Sequence, residues 1–150
     1  MNNQQVYLTK SSEETKILAK DFSKVVKSGD FLALYGNLGS GKTTFIQGLA
    51  EGLGIKRRII SSTFIIIRNY DLRPKTKDQR PKAFYHIDLY RIGSIDDLLG
   101  LGIDEIINDK NNIVAVEWAE KMGELLPRQR IELHFRYIDE DKREITIKYM

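Results

Sequence analysis

"LALYGNLGSGKTTF", Leu32–Phe45, is an apolar run that breaks into three spaced glycines and then a Lys-Thr-Thr. The run ahead of it, "FLALY", is short and continuous, as expected for a strand buried on both faces. The stretch behind it, "KTTFIQGLAEGLG", reads as a helix closed by Gly52 and Gly54. Between them, Gly36-Asn37-Leu38-Gly39-Ser40-Gly41-Lys42-Thr43 has the spacing of a P-loop, with Thr44 following. The glycines let backbone N–H groups turn inward around a phosphate, and the positive end of the next helix points at the same place. Lys42 supplies a charge for the outer phosphates, and the Thr43 hydroxyl suits Mg²⁺. A purely structural turn has no need of Lys-Thr here, so the loop predicts nucleotide binding.

Outward from the loop, "QQVYL" has strand character. "SSEETKILAKDFSKVVKSGD" then carries Ile17, Leu18, Phe22, Val25 and Val26 at helical spacing, with Ser11 and Glu14 as a capping box and Gly29 at its end. Three further strand candidates follow, "IISSTFIIIRNY", "KAFYHIDLY" and "NNIVAVEW". The helical piece "SIDDLLGLGIDEII" separates the second from the third. The end, "RIELHFRYIDEDKREITIKYM", reads as two alternating strands joined by a charged turn. The pattern predicts one α/β domain over residues 1–150 with a P-loop NTPase fold. Its sheet is mostly parallel and flanked by helices, with antiparallel margins that include the C-terminal hairpin.

The 150 residues are 41% hydrophobic, enough to bury one sizeable core. Net formal charge is +3, too small to mark a nucleic-acid binder by itself. It is unevenly placed: "DLRPKTKDQRPK", residues 71–82, carries a surplus equal to that of the whole chain, and Pro74 and Pro81 mark it as a loop. The absence of cysteine excludes disulfides, thiolate nucleophiles and thiolate metal sites. Without a signal-peptide layout or a membrane-length apolar run, the expectation is a cytoplasmic protein with no membrane contact.

A Mg²⁺ ion at a P-loop takes only one or two protein oxygens, so a carboxylate is expected at a neighbouring strand end. Asp88 closes "AFYHID" and Glu117 closes "IVAVE", and spacing does not choose between them. Thr63, in "SSTFIII", stands where a segment could sense the terminal phosphate or hold a water; a β-branched strand residue is the alternative. His86, two residues before Asp88 and so on its strand face, reads as a structural histidine or a hydrogen-bonded neighbour of the site. Trp118, the sole tryptophan, is a packed aromatic or a side chain beside the nucleotide or a partner.

"YGNLGSGKTTF", "SSTF…RNY", "YHIDLYRI", "LGLGIDEII" and "VEWAEKMGELLP", in this order, resemble the TsaE family, formerly called YjeE. The resemblance runs from the helix after Ser11 to the hairpin with Arg143, and "HIDLYR" and "VEWAE" are more specific than the P-loop. It implies an ATP-binding protein of the bacterial pathway that places a threonylcarbamoyl group on the adenosine beside the anticodon of tRNA. Members act with the TsaB–TsaD pair, in which TsaD performs the transfer. The family pattern implies that Thr43 and Glu117 ligate Mg²⁺ and that Leu38 to Thr43 wrap the phosphates. Asp88 would serve hydrolysis with Lys42, Thr63 would lie in a nucleotide-responsive segment, and Ser11 would stand near the nucleotide. Members commonly have Ser-Pro-Thr-Phe where this chain has Ser61-Ser62-Thr63-Phe64, so the proline's rigidity is missing. The basic loop is longer than usual and is either solvated or laid against tRNA phosphates.

Three functions use such a cradle: a regulatory ATPase acting through partners, a free-standing small-molecule or nucleotide kinase, and a nucleotide-gated binding module. A kinase needs an acceptor pocket and often an arginine-bearing lid, for which the basic loop with Arg73 and Arg80 is the sole and short candidate. No evident arginine finger sits in the motifs, so the resemblance implies a weak ATPase completed by partner proteins.

Overall fold

The computed structural model describes residues 3–59, 66–72 and 83–150. Thr63 with its Ser61-Ser62 neighbours, and the basic loop from residue 73 to 82, lie outside the described residues.

The strand expected at "FLALY" is β2, Phe31–Tyr35, buried on both faces over its first four residues. The other strands are β1 (Gln4–Thr9), β3 (Ile67–Asp71), β4 (Ala83–Asp88), β5 (Asn112–Glu117), β6 (Ile131–Tyr137) and β7 (Arg143–Tyr149). They form one sheet in the order β1-β7-β6-β2-β5-β4-β3. The centre, β6-β2-β5-β4, is parallel. Both margins are antiparallel, with β7 and β1 beyond β6 on one side and β3 beside β4 on the other. The sheet is therefore mixed, parallel where it is most deeply buried. Of the long strand read from "IISSTFIIIRNY", Ile59 and residues 66–70 are described, and the strand there is β3 from Ile67 onward.

Alternation along the central strands sends side chains into two cores. Leu32, Leu34, Ile113, Ala115 and Leu133 pack toward α1 (Ser12–Phe22) and α2 (Lys42–Gly52). Phe31, Ala33, Val114 and Val116 pack toward α3 (Ile95–Leu99), α4 (Ile103–Asn108) and the 3-10 turns at Ala119–Leu125. Among the described residues no helix is long and apolar enough to cross a membrane.

Ser11 caps α1, its Oγ accepting from Glu14 N at 3.1 Å, while Glu14 Oε1 reaches Lys10 N at 3.3 Å. The helix ends earlier than its apolar spacing suggested. Ser23 Oγ donates back to Lys20 O at 2.5 Å at the end of the helix, and Gly29 (φ 90°) instead turns the chain into β2. Val25, beyond the helix, and Ile17, on its outer face, are exposed, and Thr15, Ala19 and Phe22 form the buried face. α2 closes at Gly52 and Gly54 as expected, and Gly52 has a packing role as well. A Cβ there would lie 2.0 Å from Ser23 Oγ, and one on Gly48 would lie 2.4 Å from Lys16 O. The Gly48–Gly52 pair lets α2 press against the backbone of α1. "SIDDLLGLGIDEII" is likewise two helices, α3 and α4, separated at Gly102 (φ 72°).

Candidate functional site

The glycine loop leaves the carboxyl end of β2 at the centre of the sheet and enters α2 through Gly41, whose φ of 102° a side chain would strain. No side chain caps α2, so its first N–H groups face the loop without a side-chain acceptor. Gly36 is confined as well, since a Cβ would lie 2.6 Å from Ser40 Oγ and 2.7 Å from Phe135 O. Ser40 Oγ is buried and has no hydrogen-bond partner. A glycine turn that leads into an uncapped helix N-terminus fits a bound phosphate.

Lys42 is 5% exposed. Its ammonium donates to Gly36 O and to Asn37 O, the latter at 3.3 Å, and lies 3.9 Å from the centre of the Trp118 ring. Burial pushes its pKa down, against the pull of Glu117, Glu120 and Asp88. Trp118 has φ 60°, the one positive value outside glycine among the described residues, a strained conformation for so bulky a side chain. That backbone turn brings the indole to Lys42 and, at 5.3 Å between ring centres, to Tyr90.

Thr43, on the first turn of α2, donates through Oγ1 to Glu117 Oε1 at 3.1 Å, with Oε2 at 3.4 Å. His86 Nε2 lies 2.6 Å from Glu117 Oε2. Glu117 is 2% exposed and His86 4%. Asp88 is the register partner of Glu117 across β4 and β5, and its Oδ1 accepts from Tyr90 N at 3.1 Å. Burial, and then the charge of Glu117, push the Asp88 carboxyl above the usual aspartate value. Thr43 and Glu117 offer two hard oxygens, the donor set Mg²⁺ takes when phosphate and water complete its shell. Among the described residues no cluster of three or more His, Asp or Glu is arranged as a metal site.

A cavity of about 590 Å³ opens over this arrangement. Asn37 to Thr44 line it, together with Asp88, Glu117 and Trp118. Ser11, Ser12 and Thr15 at the start of α1 and Glu140, Asp141 and Arg143 at the β6–β7 turn complete the lining. Its volume falls in the range of small-molecule pockets. Of the residues singled out from sequence, Ser11, Lys42, Thr43, Thr44, Asp88, Glu117 and Trp118 meet around one space, and His86 lies behind it against Glu117.

The sequence reading missed Arg143, Tyr90 and Lys121. Arg143 reaches from β7 to donate from Nε to Gly39 O at 3.0 Å, and its guanidinium lies 4.5 Å from the Tyr137 ring. Lys121 Nζ donates to Tyr90 O at 2.5 Å, tying the turn after Glu117 to the loop after Asp88. Only the hydrogen-bonded pairing of distant segments could reveal these contacts; no local pattern carries them.

The family model of the threonylcarbamoyl adenosine biosynthesis protein TsaE matches residues 9–145. The tRNA threonylcarbamoyladenosine biosynthesis protein TsaE of Bacillus subtilis (strain 168) is 41% identical over 138 residues, 92% of this chain and 81% of its own. The protein of the same name from Rickettsia bellii (strain RML369-C) is 36% identical, with 99% of each chain covered. A crystal structure of Bacillus subtilis YdiB superimposes with a TM-score of 0.73 at 36% identity, over 99% of this chain and 87% of that one. With the family pattern spanning nearly the whole P-loop fold and the full set of site-bearing segments, the chain belongs to the TsaE family of threonylcarbamoyl adenosine biosynthesis proteins.

Proposed function

We propose that this protein binds and slowly hydrolyses Mg-ATP, and that this cycle serves N6-threonylcarbamoyladenosine formation on tRNA through the TsaB–TsaD pair. The observation that carries the ATP reading is the convergence of Lys42 and the Thr43–Glu117 pair on one glycine cradle. The N–H groups of Leu38 to Thr43 hold the phosphates, and Lys42 leaves the Gly36 and Asn37 carbonyls to meet the outer ones. Thr43 and Glu117 would hold Mg²⁺, which when bound neutralises developing phosphate charge. Asp88, beside Glu117 and held by Tyr90 N, orients the attacking water and accepts its proton. Membership in the family carries the tRNA reading, and no residue contact is invoked for TsaB, TsaD or tRNA.

The test is modified adenosine formed per TsaD over several turnovers in a reconstituted tRNA reaction, with and without this protein. Repeated turnover should require the wild-type chain and fail with Lys42→Ala. Lys42→Ala should weaken ATP binding by about 10- to 100-fold, the worth of a charge-assisted contact. A yield unchanged by adding the protein would sink the tRNA reading and turn attention to small phosphate acceptors. Fast ATP turnover by the isolated chain would count against completion by partners.

A further inference from the structure

Glu117 is almost wholly buried, and its two carboxylate oxygens are treated differently. Oε1 lies 3.1 Å from Thr43 Oγ1 and Oε2 slightly farther, at 3.4 Å, whereas Oε2 is also 2.6 Å from Nε2 of His86. His86 is on β4, two residues before Asp88, on the same strand face and one strand over from Glu117. A buried histidine needs only some hydrogen-bond partner, which any backbone carbonyl could supply. Here its Nε2 partner is a carboxylate that also meets Thr43, on the first turn of the glycine loop's helix.

We propose that His86 is a positioning residue for the divalent-cation site: its Nε2–H fixes Glu117 Oε2 so that Oε1 stands beside Thr43 Oγ1 as a preformed pair of cation ligands. An ionised carboxylate accepts only, so the imidazole carries its proton on Nε2. A glutamate side chain otherwise samples several rotamers, and a hydrogen bond from behind selects the one that faces the cation. The inference rests on the Mg²⁺ reading above, with Glu117 as ligand. It goes beyond that reading in assigning His86 to the metal rather than to the core.

The test separates metal binding from nucleotide binding without using turnover. Fluorescent mant-ADP is titrated into the full chain in EDTA, and Mg²⁺ is then titrated into the mant-ADP complex, for wild type and for His86→Phe, His86→Gln and Glu117→Gln. His86→Phe should raise the Mg²⁺ concentration at half-saturation by about 10- to 100-fold, as loss of partners behind a ligand commonly does. Its mant-ADP affinity in EDTA should stay within about 2-fold of wild type, since no phosphate contact is touched. His86→Gln, whose amide can still donate to Glu117, should recover most of the Mg²⁺ response. Equal Mg²⁺ half-saturation for His86→Phe and wild type would overturn the proposal, as would His86→Gln behaving like His86→Phe. Should the phenylalanine variant fail to fold, His86→Asn, whose shorter amide does not reach Glu117, carries the same prediction. A Glu117→Gln variant with undiminished Mg²⁺ dependence would instead bring down the metal-site reading itself.

Discussion

At the residue scale, Asp88 and Glu117 are the two carboxylates that adjacent strand ends hold side by side. That proximity, added to burial, raises the Asp88 pKa. A carboxyl raised in the folded state favours folding while it is protonated and disfavours it once ionised. Its contribution is therefore lost as pH climbs through the raised value. Asp88→Asn keeps the acceptor for Tyr90 N but carries no charge. The variant should melt at a higher temperature than wild type at pH 7, and the gap should narrow as pH falls toward the ordinary aspartate value. The same substitution should lower the hydrolysis rate by about 10²- to 10⁴-fold if Asp88 handles the proton of the attacking water. A variant that is less stable at pH 7 would show that burial does not strain Asp88. Ser11 carries a separate expectation. Removing the Oγ that caps α1 in Ser11→Ala should cost about 1 kcal/mol by denaturant unfolding.

At the element scale, the contact of α1 with α2 depends on what α2 lacks. Gly48 and Gly52 stand one turn apart, and a methyl on either would enter the backbone or Ser23 of α1. Gly48→Ala should therefore destabilise by about 1–3 kcal/mol through overpacking, although alanine is the better helix former. Urea unfolding midpoints decide it: an unchanged or raised midpoint would mean that α1 moves away freely. The consequence reaches the site, because α1 presents Ser11 and α2 presents Lys42 and Thr43 to the same cavity. The hairpin β6–β7 is a second positioning element. Its turn is closed by Asp139 Oδ1 accepting from Asp141 N and Lys142 N, and it delivers Arg143 to Gly39 O.

At the scale of the whole molecule, one sheet separates two apolar cores, and the cavity sits at the carboxyl edge of its parallel centre. Both cores share β2 and β5, so they should unfold together. Leu34→Ala on the α1–α2 side is expected to cost about 2–5 kcal/mol and to lower a single transition seen alike by circular dichroism and Trp118 fluorescence. Two separated transitions would mean that the faces are independent. By itself the sequence determined the glycine cradle, the Ser11 cap, the terminal hairpin and the alternation of strand with helix. Each depends on residues a few positions apart, whose conformational preferences act locally. Spacing offered Asp88 and Glu117 as equals, carried α1 on toward Gly29 where it stops at Phe22, and saw in Gly52 the end of α2 but not its packing against Ser23. Thr43 meets Glu117 across 74 positions, and Arg143 meets Gly39 across 104. Strand order and register decide such meetings, because hydrogen-bonded pairing and the burial of both sheet faces act between segments that local preference cannot bring together.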